Sequence, residues 1–271
     1  MEFVKSLEED TEFTRSLIRY PSDGLTIYSF AQIPKREGKY PLVIMIHGLA
    51  DSGNFNSPNF RSEIADMLTR EEYIVIHPIL RGYLPSDTGD NMFRVGMSVD
   101  ILNLIALIKA GGGESILSGK SDVESIGLLS HSMGGDIALR VLTVSGDVRA
   151  AVLASPMNGD EKRNAERLYK ITVEPGFQNE LNTLPSQFVQ ISPVYFYSNI
   201  SAPILLFHGT NDETIPVNWS RETCAMILAL GKTITCRFFE GESHHFSSSV
   251  SEEYYASILD FYHTYLSSGS R

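Results

Sequence analysis

Runs of consecutive apolar residues alternate along this chain with segments whose apolar positions recur every three or four residues. The first kind, such as Leu42-Val43-Ile44-Met45-Ile46, is the pattern of strands covered on both faces. On this basis strands are predicted at Leu25 to Ile33, Leu42 to His47, Tyr73 to Leu80, Ser125 to Leu129, Ala150 to Ala154, Ile204 to His208 and Thr233 to Phe239. Helical spacing predicts helices at Phe60 to Glu71, Val95 to Ala110, Met133 to Val144, Asn218 to Leu230 and Ser251 to Leu266. Strand and helix in alternation build a parallel sheet wrapped by helices, so the fold class is α/β and the chain, 1–271, reads as one domain. One stretch breaks the rhythm. Pro156 to Ser201 contains no clear strand and mixes Pro, Asn and Gln with isolated aromatic residues. It reads as a small lid-like insertion, 156–201, over the carboxyl edge of the sheet, where open α/β sheets bind ligands.

Composition narrows the partners. With 22 basic and 33 acidic residues the net charge is −11, and no Lys/Arg cluster interrupts it, which speaks against nucleic acid and anionic membranes. Met1 to Thr14 lacks the apolar centre of a signal peptide, and Ile101 to Ile108 is too short to span a bilayer, so a cytoplasmic protein is expected. The two cysteines, Cys224 and Cys236, have no metal-type spacing and read as buried, inert thiols. His77, His208 and His263 lie in or beside regular elements and read as structural, so neither a metal nor another cofactor is expected.

The chemistry is concentrated in four loops. Ser125-Ile126-Gly127-Leu128-Leu129-Ser130-His131-Ser132-Met133-Gly134-Gly135 runs from a strand through a turn of small residues into a helix. A serine at such a turn projects its hydroxyl from the sheet edge, and small neighbours let backbone segments approach. Ser130 occupies a position where glycine is usual, and His131 is expected to be held on the far side of the turn as a structural residue. Serine needs a base, and the base needs an orienting carboxylate. Asp212 follows the strand Ile204 to His208, with Glu213 as its local rival. His244 follows Gly241 after the strand Thr233 to Phe239, with His245 as its competitor. For the oxyanion of acyl transfer, the backbone N–H groups of Met133 and of Leu49, in Ile46-His47-Gly48-Leu49-Ala50, are the natural donors.

The order Ser132, Asp212, His244 is that of the α/β hydrolases. Together with Tyr40 to Gly48, Leu80-Arg81-Gly82-Tyr83 and Gly241 to Phe246, it resembles the prolyl oligopeptidase-like and feruloyl-esterase-like branch of that superfamily, over residues 20 to 265. The resemblance implies an eight-stranded, mostly parallel sheet and a two-step acyl-enzyme mechanism. Two departures stand out: Ser130 in place of glycine, and no N-terminal propeller of the kind oligopeptidases carry. The expected activity is hydrolysis of small or medium, including aromatic, carboxylic esters. An aminopeptidase or amidase acting on short substrates and a non-catalytic binding protein of the same fold are the alternatives. Arg81 and Tyr83 lie at the active edge, where substrate contact and a structural ion pair compete as roles for Arg81.

Overall fold

A computed structural model describes residues 1–7, 10–49, 62–111, 114–117, 119–172 and 175–266. Nine strands form one sheet: β1 (Glu2–Ser6), β2 (Phe13–Ser22), β3 (Leu25–Pro34), β4 (Tyr40–Ile46), β5 (Ile74–Ile79), β6 (Ser121–His131), β7 (Val148–Ala154), β8 (Ile204–Gly209) and β9 (Ile234–Phe239). Their order across the sheet is β1-β2-β3-β5-β4-β6-β7-β8-β9. The pairs β1·β2, β2·β3 and β3·β5 are antiparallel, and every pairing from β5·β4 to β8·β9 is parallel. The architecture is the α/β-hydrolase fold that the loop order implies, with one strand more than the eight expected. The seven strands read from apolar runs are all present, and β1 and β2 are additional. All five side chains of β1 are exposed, and β2 carries Arg15 and Arg19 between its buried residues. An edge hairpin of this kind has no continuous apolar run, so its pattern does not announce a strand.

The helices are α1 (Glu63–Arg70), α2 (Val95–Lys109), α3 (Glu114–Leu117), α4 (Met133–Val144), α5 (Glu161–Thr172), α6 (Pro175–Leu181), α7 (Pro185–Ile191), α8 (Val217–Ala229) and α9 (Ser251–Tyr265). Phe60 and Arg61, the start of the first expected helix, lie outside the described residues; from Ser62, whose hydroxyl caps Ala65 N–H, the helix is as expected. Two core clusters lie on the sheet's two faces. One gathers β4 residues Leu42, Ile44 and Ile46 with α2 and α4, and the other gathers Val43 and Met45 with α1 and α9. That alternation is the two-residue period of a strand buried on both sides.

The strand-free segment 156–201 is helical. It holds α5, α6, α7 and a 3-10 turn, Pro193–Asn199. A buried ionic cluster joins it to the body. Arg94, itself in left-handed backbone (φ 57°), pairs with Asp136 of α4 at 3.1 Å, with Glu180 of α6 at 3.2 Å and with Glu161 of α5. Arg140 of α4 pairs with Glu161 as well. Charged side chains this buried are tolerated when each faces a partner of opposite sign. Arg81 is likewise an ion-pair residue: its guanidinium grips Asp100 of α2 through Nε (2.9 Å) and Nη2 (2.7 Å), both groups being buried.

The cysteines correct the sequence reading. Cys224 of α8 and Cys236 of β9 form a disulfide, with Cα atoms 6.6 Å apart, rather than two free thiols. Packing of α8 beside β9 brings the two Cβ atoms together, a proximity that a spacing of 12 residues does not reveal. Among the described residues no helix is long and apolar enough to cross a membrane.

Candidate active site

The chain reverses direction across the sheet at β4, with β5 on one side and β6 on the other. Such a switch point leaves a crevice at the carboxyl ends of the strands. There β6 ends and α4 begins at Ser132, whose backbone is held at φ 55° and ψ −119°. A non-glycine residue in that conformation costs about 1–3 kcal/mol, which the surrounding structure must offset. It does so through three backbone bonds: Ser132 N–H to Ala154 C=O (3.0 Å), and Gly135 and Met157 N–H to Ser132 C=O (2.9 and 3.0 Å). Gly134 is required because a Cβ there would lie 2.2 Å from the Ile46 carbonyl oxygen. Ser130 is accommodated where glycine is usual: its hydroxyl donates to Val152 C=O of the adjacent strand at 3.2 Å.

Asp212 and His244 come from loops that meet above β8 and β9. Gly209 makes this meeting possible, since a Cβ on it would lie 2.2 Å from the Glu242 carbonyl oxygen. Asn211 N–H then donates to Glu242 C=O (2.9 Å) and Gly241 N–H to Thr210 Oγ1 (2.8 Å). The result is a chain of short contacts. His244 Nε2 is 2.9 Å from Ser132 Oγ, and His244 Nδ1 is 2.8 Å from Asp212 Oδ2. With a carboxylate fixing the proton on Nδ1, Nε2 is the free lone pair facing the serine hydroxyl. Glu213 and His245, the rivals in sequence, are both exposed, and neither takes this place.

Every acceptor position of the Asp212 carboxylate that the fold can reach is filled. Oδ1 accepts the N–H groups of Thr214 and Ile215, each at 2.8 Å. Oδ2 accepts His244 and lies 3.0 Å from His208 Nε2, which is also 3.1 Å from the Ile215 carbonyl oxygen. Burial alone would raise the Asp212 pKa, but the hydrogen bonds from His208, His244 and Ile215 outweigh it and hold the carboxyl well below the usual range. His208 is fully buried and its Nδ1 is 2.6 Å from Ser220 Oγ. Sequence reading took His208 for structural. Its signal was available, since it stands four residues before Asp212 at the end of the strand that delivers the acid.

His131 departs from expectation. The turn does not hold it away from the base: its ring lies 4.8 Å from that of His244 and stacks 4.7 Å from that of His245, with Nε2 3.1 Å from the His244 carbonyl. Both strand-end histidines are kept neutral. Burial pushes the pKa of His47 down to about 4 despite its bond to Gly48 C=O, and burial with the neighbouring His244 pushes His131 to about 4. His47 Nε2 accepts Leu80 N–H at 3.2 Å, which leaves Nδ1 to donate to Gly48 C=O at 2.8 Å. His47 thereby ties the Gly48-Leu49 turn to the end of β5, with the Tyr83 ring 4.8 Å away edge-on. Gly48 sits against the nucleophile: a Cβ on it would lie 2.9 Å from Ser132 Cβ. Leu49 is 40% exposed, Met133 opens α4, and helix geometry leaves the first N–H groups of α4 without intrahelical partners. Ala50 lies outside the described residues.

A cavity of about 460 Å³ borders this centre. Gly48, His131, His244, Met45, Leu129 and Tyr254 are among the residues that line it. Among the described residues no cluster of His, Cys, Asp and Glu is arranged to hold a metal ion.

Residues 117–269 match the sequence pattern of the prolyl oligopeptidase family, which is more than half of the chain. Comparison with curated proteins finds no match. Solved structures that are similar include the acylaminoacyl peptidase of Pyrococcus horikoshii (TM-score 0.76, 20% identity), covering 97% of this chain and 43% of that one. The dipeptidyl peptidase 4 of Porphyromonas gingivalis is similar over 94% of this chain and 36% of its own (TM-score 0.74, 14% identity). Acetyl xylan esterase 1 from Thermoanaerobacterium sp. JW/SL YS485 is similar over 96% of this chain and 87% of its own (TM-score 0.70, 15% identity). The chain thus spans less than half the length of the two peptidases.

Proposed function

The chain belongs to the prolyl oligopeptidase family of serine hydrolases, and from that premise we propose that it cleaves carboxylic esters of small to medium acyl groups through an acyl-enzyme. The observation that carries this reading is the contact chain Ser132 Oγ, His244 Nε2, His244 Nδ1, Asp212 Oδ2. His244 takes the proton of Ser132 as its oxygen attacks the ester carbonyl, and Asp212 stabilises the imidazolium so formed. The N–H groups of Leu49 and Met133 receive the oxyanion. His244 passes its proton to the leaving alcohol, and a water molecule activated in the same way then releases the acid.

Segment 156–201 is proposed to flank the acyl group. It packs into the core cluster opposite α1 and α9, and its Arg167 donates from Nε to Thr214 C=O at 2.7 Å, next to the acid. An Arg167→Ala variant is expected to move the acyl-chain optimum, and an unmoved optimum counts against a lid-like role.

The test is hydrolysis of p-nitrophenyl esters from acetate to palmitate by the native protein and Ser132→Ala, with fluorophosphonate labelling alongside. Loss of about 10³-fold or more in kcat in the variant, and labelling only of the native chain, is the expected result. Activity retained by Ser132→Ala overturns the mechanism. A second reading, cleavage of short amides or peptides, draws on the similarity to the acylaminoacyl peptidase. Faster turnover of aminoacyl p-nitroanilides than of matched esters would put it first.

A further inference from the structure

The cavity beside the triad lies on the face of the sheet that carries α1 and α9, whereas segment 156–201 contributes Met157, Leu168 and Tyr197 to the opposite core cluster. Among the described residues, none of that segment lines the cavity. Two flanks of one reaction centre are therefore built from different material, and acyl transfer has two groups to place on them.

Chemistry decides which group goes where. The leaving oxygen or nitrogen must receive its proton from His244 Nε2, so the leaving group lies on the histidine side of the tetrahedral centre. The cavity is that side. His244, His131 and His245 border it together, while Met133, Met157 and Ile215 do not. Its volume falls within the roughly 300–1,000 Å³ typical of small-molecule sites.

The lining also selects by charge. Met45, Ile64, Leu129 and Phe246 are apolar, and the described lining contains no carboxylate, amine or guanidinium. His47 and His131 are held neutral as described above. Burial, with the neighbouring His47, pushes His77 down to about 3, and burial pushes the Tyr254 hydroxyl well above the usual phenol range. Among the described lining residues, a charged group placed here would lose its water without gaining a counter-charge.

Resting on the serine-hydrolase reading above, we infer that this histidine- and aromatic-lined cavity is the leaving-group site, shaped for an uncharged, bulky apolar or aromatic alcohol or amine. Specificity then resides in the leaving group on this flank, and not only in the acyl group on the other.

Two substrate series separate the flanks. One keeps acetate as acyl group and varies the leaving group: ethyl, phenyl, 4-tert-butylphenyl and 3-(trimethylammonio)phenyl acetates. The other keeps p-nitrophenol and varies the acyl chain. Ser251, at the start of α9, lines the cavity, and Ser251→Trp narrows it; Tyr255→Ala widens it. Relative to the native protein, Ser251→Trp is expected to lower the kcat/KM ratio of 4-tert-butylphenyl to ethyl acetate by about tenfold or more, since one methylene misfit in a pocket is worth that much. Tyr255→Ala should raise the same ratio. In both variants the p-nitrophenyl series should shift in parallel, its chain-length optimum staying in place. The native protein should disfavour the trimethylammonio ester against the tert-butyl ester of similar shape. A moved acyl optimum with a constant leaving-group ratio, or equal rates for charged and neutral leaving groups, overturns the assignment. Fluorophosphonate labelling distinguishes the two failures. A chain that labels at Ser132 but shows no leaving-group selectivity overturns this inference alone, and a chain that does not label overturns the triad reading beneath it.

Discussion

Asp212 Oδ2 serves two imidazoles at once, and that sharing is the most consequential single-residue feature of the site. A hydrogen bond to a carboxylate contributes about 1.5–3 kcal/mol, so removing the His208 donor leaves the acid both less fixed and more basic. His208→Phe is expected to lower kcat/KM for ester substrates by roughly ten- to a hundredfold and to alter its pH profile. KM should be affected less than kcat, because His208 lies behind the acid and away from the substrate. An unaltered pH profile with a lower melting temperature would reduce His208 to a packing residue. Ser132, Asp212 and His244 were singled out as candidates from loop placement after strands. Their contact was not, because 112 residues separate the serine from the histidine and only the sheet closes that distance. His131 was misplaced for a related reason: the turn fixes its backbone, but its ring direction follows from the neighbouring loop of His244 and His245.

At the level of elements, close approach replaces side-chain bulk as the deciding quantity. Gly209 lets the loop after β9 pass over the end of β8, and Gly209→Ala would place a methyl 2.2 Å from the Glu242 carbonyl oxygen. The loops must move apart, so the variant is expected to lose hydrolase activity by about tenfold or more while costing about 1–3 kcal/mol of stability. Denaturant titration and steady-state kinetics on one preparation check both. The disulfide acts on the same region, tying α8, which follows the acid loop, to β9, which precedes the base loop. Native and denatured chains should both show no free thiol in a colorimetric assay. Reduction should cost about 2–3 kcal/mol, the loop-closure value for a loop of this size. Two reactive thiols in the oxidant-treated, denatured chain would refute the pairing. The helices α5 to α7 were legible only as an absence of strand, because α5 is mostly charged and polar, with few apolar residues to mark a face, and α6 and α7 are short and open on Pro.

The whole molecule carries its histidines at a cost that depends on pH. His47, His77 and His131 are held below the ordinary histidine pKa, at about 4, 3 and 4, chiefly by burial. Between pH 6.5 and 4 the unfolded chain binds these protons and the folded chain does not. Stability therefore falls as pH drops through that window, by up to about 1.4 kcal/mol per pH unit for each group. Unfolding near pH 5 should take up about three protons from this source, and His131→Asn should reduce the slope by about a third. A flat stability profile from pH 7 to 5 would contradict their burial in the neutral form. A second whole-molecule prediction concerns the ionic cluster that joins segment 156–201 to α4. Arg94→Met removes the cationic partner of Glu180 and leaves Asp136 with Arg140 alone at 3.7 Å, and should cost about 3–5 kcal/mol, measured by urea unfolding.

Sequence alone determined the alternation of buried strands and amphipathic helices, the order of the chemical loops and hence the fold, because burial on both faces and turn formation are local consequences of residue type. The strands β1 and β2 escaped it, since β1 is an exposed edge and β2 mixes Thr14, Arg15, Ser16 and Arg19 with its buried apolar residues. What the tertiary structure decided is everything that depends on which loops meet: His208 beside Asp212, Cys224 meeting Cys236, Arg94 facing three carboxylates, and a cavity bordered by His131, His244 and His245. Those contacts join residues far apart in the chain, and the distances between them are set by sheet order and by glycines at crossing points.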